Sequence, residues 1–232
     1  MIGARTKKMM VNDTYEYEFI KSLLKPSSVC LDIGANVGFF TQLMAEYGNH
    51  VFAFEPDIDN FKILRDNIRY QQRSNYTLIN KAVTDNTGLT RLYRCYSNIG
   101  MHRIYPSKYC LGDSVEIECT SIDEWWLPWS FSIDFVKIDV EGSELGVLQG
   151  MEKTITKFKP AMVVEFHPPS IEECGGPDNP RKIYNFLKKH YGSISLLATS
   201  FSPGTTDIPN ISYDDLIKET YDAPARNIFV KG

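Results

Sequence analysis

Several charged residues of this chain stand where an apolar run ends. Asp32, Gly34 and Gly38 follow the run VCL in VCLDIGANVGFF, residues 29–40. Glu55 closes VFAFE, Asp139 closes FVKID, and Glu165 and His167 close AMVVEFHPP. Apolar runs closed by glycine or proline read as buried strands ending in turns. A carboxylate at such a turn can hold an ammonium or a ribose hydroxyl, and a histidine can move a proton near neutral pH.

The first turn has the spacing D-x-G-x-x-x-G, with Ala35 and Asn36 between its glycines. A dinucleotide fingerprint would read G-x-G-x-x-G and let a pyrophosphate approach a helix N-terminus. An acid two residues before the first glycine repels a pyrophosphate but suits an ammonium, while the helix start beyond favours a carboxylate. A ligand with an amino-acid end fits both, and S-adenosylmethionine has one. The plainer reading is a capping acid before a glycine turn. Glu55 follows Gly34 by about 20 residues, the place from which an acid accepts hydrogen bonds from ribose. That feature serves nicotinamide and S-adenosylmethionine cofactors alike, and Glu55 could also cap the next helix. In VKIDVEGSELGVLQG, residues 136–150, Lys137, Asp139 and Glu141 alternate with period two. Charges inside an apolar strand are costly unless paired or functional. Glu144 reads as a helix-capping acid.

Strands must alternate with helices to bring these residues together. TYEYEFIKSLL (14–24) reads as a helix, VCLDI as a strand and GFFTQLMAEYG as the helix after it. HVFAFEP (50–56) is a strand, DIDNFKILRDNIRY a helix, and YTLINKAV (76–83) one further strand. LTRLYRCYS and SVEIECTSI read as an antiparallel pair around the loop 98–113. IDFVKIDV, AMVVEFHPP, SISLLATS and ARNIFVKG complete the strands. SELGVLQGMEKTITKF and PRKIYNFLKKHYG read as helices, and IEECGGPDNP as a loop. Alternation of this kind gives an α/β fold, a mostly parallel sheet with helices on both faces, whose strand ends converge on one edge.

The chain has 232 residues, 43% of them hydrophobic, enough to bury one full core as a single domain over 1–232. Its formal net charge is −4, which argues against a general nucleic-acid binder. Five cysteines in no C-x-x-C pattern suggest reduced thiols rather than a disulfide framework or a zinc ribbon. The N-terminal stretch lacks an apolar signal core and no run spans a membrane, so a cytoplasmic location and no membrane partner are expected.

Taken in order, DIGANVGFFT, VFAFEP, DNTG, SIDEWW, VKIDVEGSELGVLQG and VVEFHP resemble the FkbM-type methyltransferase family, from about Val29 to about Pro168. The resemblance implies the class I Rossmann-like methyltransferase fold: a seven-stranded sheet with an inserted β-hairpin, here in 88–122 after a helical lead 1–28. It implies S-adenosylmethionine as methyl donor and a sugar or natural-product hydroxyl as acceptor. By motif, Asp32, Gly34, Ala35, Asn36 and Gly38 belong to the turn at its methionine part. Glu55 and Pro56 go to the ribose, Lys81 and Ala82 to the adenine, and Asp139 to the sulfonium. The loop NIGMHRIYPSKYCLGD departs from the family pattern, so the acceptor does not carry over.

Methyl transfer to an alcohol releases a proton. His167 is the first candidate to take it, with Glu165 alternating beside it and His102 a further candidate; a loop histidine before two prolines is the plainer reading of His167. No metal site is expected, although Asp139, Glu141 and Glu165 are carboxylates of the kind that suit Mg²⁺. Trp125, Trp126 and Trp129 read as core residues before a sugar platform. The leading function is O-methylation of a sugar, glycan or glycosylated metabolite. The alternatives are methylation of RNA or protein, and a non-catalytic cofactor-binding partner subunit.

Overall fold

Strand β1 (Val29–Ile33) is buried at every position because it has a parallel neighbour on each side. The computed structural model describes residues 14–232 apart from 96, 97, 99, 109, 111, 112, 127–130 and 200–203. Around β1, helix α1 (Thr14–Leu23) precedes it, and α2 (Phe39–Tyr47), β2 (His50–Phe54), α3 (Ile58–Tyr70) and β3 (Tyr76–Ile79) follow. Next come β4 (Ala82–Val83), β5 (Gly88–Tyr93), β6 (Ser114–Thr120) and α4 (Ile122–Trp126). The second half runs β7 (Phe135–Ile138), α5 (Glu144–Gln149), α6 (Glu152–Phe158), β8 (Ala161–Phe166) and α7 (Pro168–Gly175). It closes with α8 (Asn179–Tyr191), β9 (Ser195–Leu196), α9 (Tyr213–Thr220) and β10 (Arg226–Val230).

The main sheet has seven strands in the order β3-β2-β1-β7-β8-β10-β9. β3, β2, β1, β7 and β8 run parallel, and β10 is antiparallel to both its neighbours. This is the expected class I arrangement. One core cluster gathers Leu31, Phe54, Val136, Val164 and Ile228 on one face, and another gathers Cys30, Val51, Phe135 and Val163 against α1 and α2. The strand order reverses between β1 and β7, the place where ligands bind in open α/β sheets.

The structure differs from the expectation in six places. YTLINKAV is two strands in different sheets: β3 joins the main sheet, and β4 pairs in parallel with β6 beside β5. The side chain of Asn80 ends β3 by donating to the carbonyls of Glu55 (2.8 Å) and Pro56 (3.0 Å). The long helix after β7 restarts as α6, because Asp123 accepts from the amides of Lys153 (2.9 Å) and Thr154 (2.8 Å). IEECGGPDNP begins inside α7, since the prolines at 168 and 169 occupy first-turn positions where a missing N–H costs nothing. α9, capped at Ser212 by an accepted bond from the amide of Asp215, was not expected, while SISLLATS contributes only two strand residues. Cys95 and Cys110 are joined as a disulfide with Cα atoms 4.3 Å apart, so the expectation of reduced thiols does not hold for them; Cys30, Cys119 and Cys174 are free.

Trp125 and Trp126 pack edge-on against Phe52, as core residues do; Trp129 lies outside the described residues. Asp57 caps α3 by accepting from the amides of Asp59 and Asn60, and Arg94 pairs with it at 2.8 Å. Asp57→Ala is expected to cost about 2 kcal/mol, the upper end for a lost cap, read as a lower urea midpoint at constant slope.

Candidate active site

A cleft of about 190 Å³ opens at the carboxyl ends of β1, β2, β7 and β8. Gly34 and Asn36 line it from the first turn, and Glu55 and Pro56 from the second strand end. Lys81 and Ala82 line its side, and Asp139, Glu141, Ser143 and Glu165 its far end. The sequence thus converges eight of its predicted site residues: Gly34, Asn36, Glu55, Pro56, Lys81, Ala82, Asp139 and Glu165.

Asp32, Ala35 and Gly38 stand behind this surface, outside the lining. Asp32 is 2% exposed and accepts from the Thr41 hydroxyl at 2.5 Å. It lies opposite Lys137 in the β1–β7 register. Burial pushes its carboxyl up to about 6 against the pull of Thr41 and Lys137. Lys137 is itself buried; burial draws its pKa down, but Asp139 at 2.8 Å and Glu16 outweigh that and hold it above its ordinary value. The mid-sheet charges are therefore a paired set beneath the cleft.

Gly34 makes the first turn. Its φ is +84°, and a Cβ there would lie 1.7 Å from the Asp139 carbonyl oxygen. Asn36, also left-handed at φ 50°, gives its amide to Glu55 Oε2 at 2.8 Å, while Glu55 Oε1 accepts from the Asp57 amide at 2.8 Å. Glu55 therefore ties the two turns together, and each oxygen keeps a lone pair for a ligand hydroxyl. Asn36 Oδ1 is buried without a hydrogen-bond partner among the described residues. Glycine without a side chain, an orphan acceptor and a ribose-type acid together fit the amino-acid and sugar parts of an adenosine cofactor. Lys81 pairs with Glu118 of β6 at 2.7 Å.

Asp139, Glu141 and Glu165 each bring a carboxylate oxygen within 4.8 Å of the others, a spacing that suits a cation, whether a sulfonium or a divalent metal. Burial first, then Asp139, pushes Glu141 up to about 8; burial and the same neighbours hold Glu165 well above the usual range. Burial pushes Glu55 up to about 8 despite its two amide donors. Because these folded-state values lie above the ordinary 4.5, the folded chain holds more protons than the unfolded chain in between. Stability is then expected to fall as pH rises from about 4.5 to about 8. Melting temperatures of the ligand-free protein across that range test it, and a flat or rising profile would refute it.

The histidines take other places. His167 does not line the cleft; it faces a neighbouring cavity with Arg103, Lys108 and Glu173. The buried Ser170 hydroxyl accepts from Arg103 (3.3 Å) and pairs with His167 Nδ1 at 2.7 Å, so that ring nitrogen is engaged outside the cleft. Burial and Arg103 lower its pKa. His102 does line the cleft, but its Nδ1 accepts from the Cys95 amide at 3.1 Å, which leaves its proton on Nε2. Burial lowers its pKa too, although Asp57 opposes it.

Further residues line the cleft without having been singled out as site residues in the sequence, among them Asn60, Gly100, Ile104 and Ser143. Three lining residues come from the segment 100–104, which bridges to Tyr93 at Arg103. Gly100, His102 and Ile104 face the cleft, while Met101 and Arg103 face the neighbouring cavity.

Residues 32–194 match the family model described as "Methyltransferase FkbM domain". The chain is 27% identical over 161 residues to the 2-O-methyltransferase NoeI of Sinorhizobium fredii, covering 61% of this chain and 65% of that protein. A Methyltransferase FkbM crystal structure from Methylobacillus flagellatus superposes with a TM-score of 0.57 at 18% identity, over 89% of this chain and 44% of that one. A Streptococcus mutans protein solved in complex with SAH gives 0.51 at 10% identity, over 93% of this chain and 94% of that one. The chain thus spans less than two thirds of the length of NoeI and of the M. flagellatus protein. No helix among the described residues is long and apolar enough to cross a membrane.

Proposed function

The chain belongs to the FkbM methyltransferase family, and on that premise we propose that it moves a methyl group from S-adenosylmethionine to a hydroxyl of a sugar, glycan or glycosylated metabolite. The observation that carries this is the polarity of the cleft. One end has a glycine turn and a ribose-type acid; the other has three carboxylates and, among the described residues, no lining lysine or arginine, Lys81 standing at the side. Carboxylates accept hydrogen bonds from hydroxyls and repel phosphate. That favours a neutral polyol over RNA. The 2-O-methyltransferase name of a relative points the same way.

In this reading Gly34 and Asn36 hold the methionine part, Glu55 the ribose, and Lys81 and Ala82 flank the adenine. The bound cofactor supplies an electrophilic methyl on a sulfonium. Asp139 and Glu141 stabilise positive charge at that end of the cleft. Glu165, whose carboxylate has no hydrogen-bond partner among the described residues, takes the proton from the acceptor hydroxyl. Its raised pKa makes the ionised form a stronger base, and a neighbouring cation favours that form. The acceptor oxygen gains the methyl as the carbon–sulfur bond breaks, leaving the thioether S-adenosylhomocysteine. No metal is required for this balance.

Methyl-labelled S-adenosylmethionine, offered with a panel of hexoses, deoxyhexoses and their methyl glycosides, tests the proposal. Label in a sugar, lost in Glu165→Gln, supports it. Label in added RNA or protein instead favours the runner-up. Failure of the protein to bind S-adenosylmethionine refutes both.

A further inference from the structure

The turn after β7 is held in an unfavourable shape. Glu141 has φ +57°, a left-handed conformation that costs a non-glycine residue energy and persists only when its surroundings impose it. Gly142 follows at φ +109°, and a Cβ there would lie 2.5 Å from both the Tyr105 hydroxyl and the Ser170 carbonyl oxygen. The turn is thus pressed between the inserted segment and α7.

The imposing contact comes from the insert. Tyr105 is 7% exposed, and its hydroxyl lies 2.7 Å from the Glu141 carbonyl oxygen and 3.1 Å from that of Ser170. One phenolic proton can be shared between these two carbonyls, which belong to the turn leaving β7 and to the first turn of α7 after β8. Arg103, two residues earlier, repeats the link with side chains. It reaches Glu141 at 3.7 Å, Glu173 at 2.8 Å and the Ser170 hydroxyl at 3.3 Å, with its guanidinium 5.6 Å from the Tyr105 ring centre. The two bolted segments follow closely on Asp139, at the end of β7, and on Glu165 of β8, and the first of them carries Glu141 itself.

We propose that Tyr105 is a positioning residue for methyl transfer. Its hydroxyl fixes the left-handed Glu141 turn and so sets the carboxylates at the acceptor end of the cleft. This rests on the methyltransferase reading for its consequence, but not for its contact. Tyr105→Phe removes the hydroxyl and keeps the ring and its packing.

Two measurements separate the claims. In the ligand-free protein, backbone amide exchange at Gly142 and Ser143 is expected to rise about tenfold in Tyr105→Phe, with Gly34, Asn36 and Asp57 unchanged. Unchanged exchange at 142–143, or a uniform rise at all five amides, would overturn the proposal. On the sugar that accepts label best, kcat is expected to fall about tenfold while the KM for S-adenosylmethionine stays within twofold. A variant with wild-type kcat, or one that loses cofactor KM alone, would overturn the positioning role. If no sugar accepts label, the function reading fails and the exchange experiment still decides whether Tyr105 holds the turn.

Discussion

Gly34→Ala is expected to leave a protein that neither folds normally nor binds S-adenosylmethionine. The added methyl would sit 1.7 Å from the Asp139 carbonyl oxygen, a backbone atom that cannot swing aside. The Asp139 amide is itself bonded to the Ile33 carbonyl at 3.0 Å, which fixes the β7 end against β1. Relief would require moving the ends of two central strands. The left-handed φ of +84° adds a conformational cost of roughly 1–3 kcal/mol before any clash is counted. Total stabilities of about 5–15 kcal/mol leave little room for both. Thermal melts and calorimetric titration read the outcome. A variant melting within a few degrees of the wild type and binding normally would show that the turn is looser than its geometry.

The second large effect is on the cofactor alone. Glu55→Gln should weaken S-adenosylmethionine binding by about a hundredfold while the chain stays folded. The carboxylate accepts from the Asn36 and Asp57 amides, one on each oxygen. A glutamine can accept only on its carbonyl oxygen, so one amide would face an NH₂ group and the turn bearing Asn36 would shift. It also loses the charge that strengthens bonds to ribose hydroxyls, about 1.5–3 kcal/mol for each charged hydrogen bond. Removing a group whose folded-state pKa is raised to about 8 takes away a destabilising ionisation above that pH. The variant should therefore melt no lower than the wild type at alkaline pH. Micromolar binding retained by Glu55→Gln would remove Glu55 from the cofactor site and weaken the reading built on it.

Much of the cofactor side was legible in the sequence because it depends on local order. Strand, glycine turn and helix follow one another in VCLDIGANVGFF, and the strand end at Glu55 lies next to it in the sheet. A parallel sheet brings strand ends together, so Asp139 and Glu165 could be placed at the same edge from their positions alone. Asp32 was harder. Its position in the motif is the same whether it touches a ligand or the Thr41 hydroxyl, and only the packing of α2 over β1 tells them apart. His167 was misleading for a similar reason. Alternation along β8 puts residues 165 and 167 on one side, but the strand stops at Phe166 and the prolines turn the chain into α7, carrying the imidazole into the next cavity. The roles of Arg103 and Tyr105 had no local signal. They arise from contacts with residues 36 to 70 positions away, across a loop whose sequence shows only that it is unusual.

The alternating segment 100–104 has a consequence for how such a protein can change over generations. Even-numbered positions face the cleft and odd-numbered positions face its neighbour. A substitution at Gly100 or Ile104 alters the cleft wall, while one at Met101 alters the other compartment, and the backbone pairing with Tyr93 is indifferent to both. Single steps along one short ribbon can therefore reshape either compartment with little effect on the other. Gly100 is the position with the longest reach, because a Cβ there would lie 3.3 Å from Asn36 Nδ2 in the turn after β1.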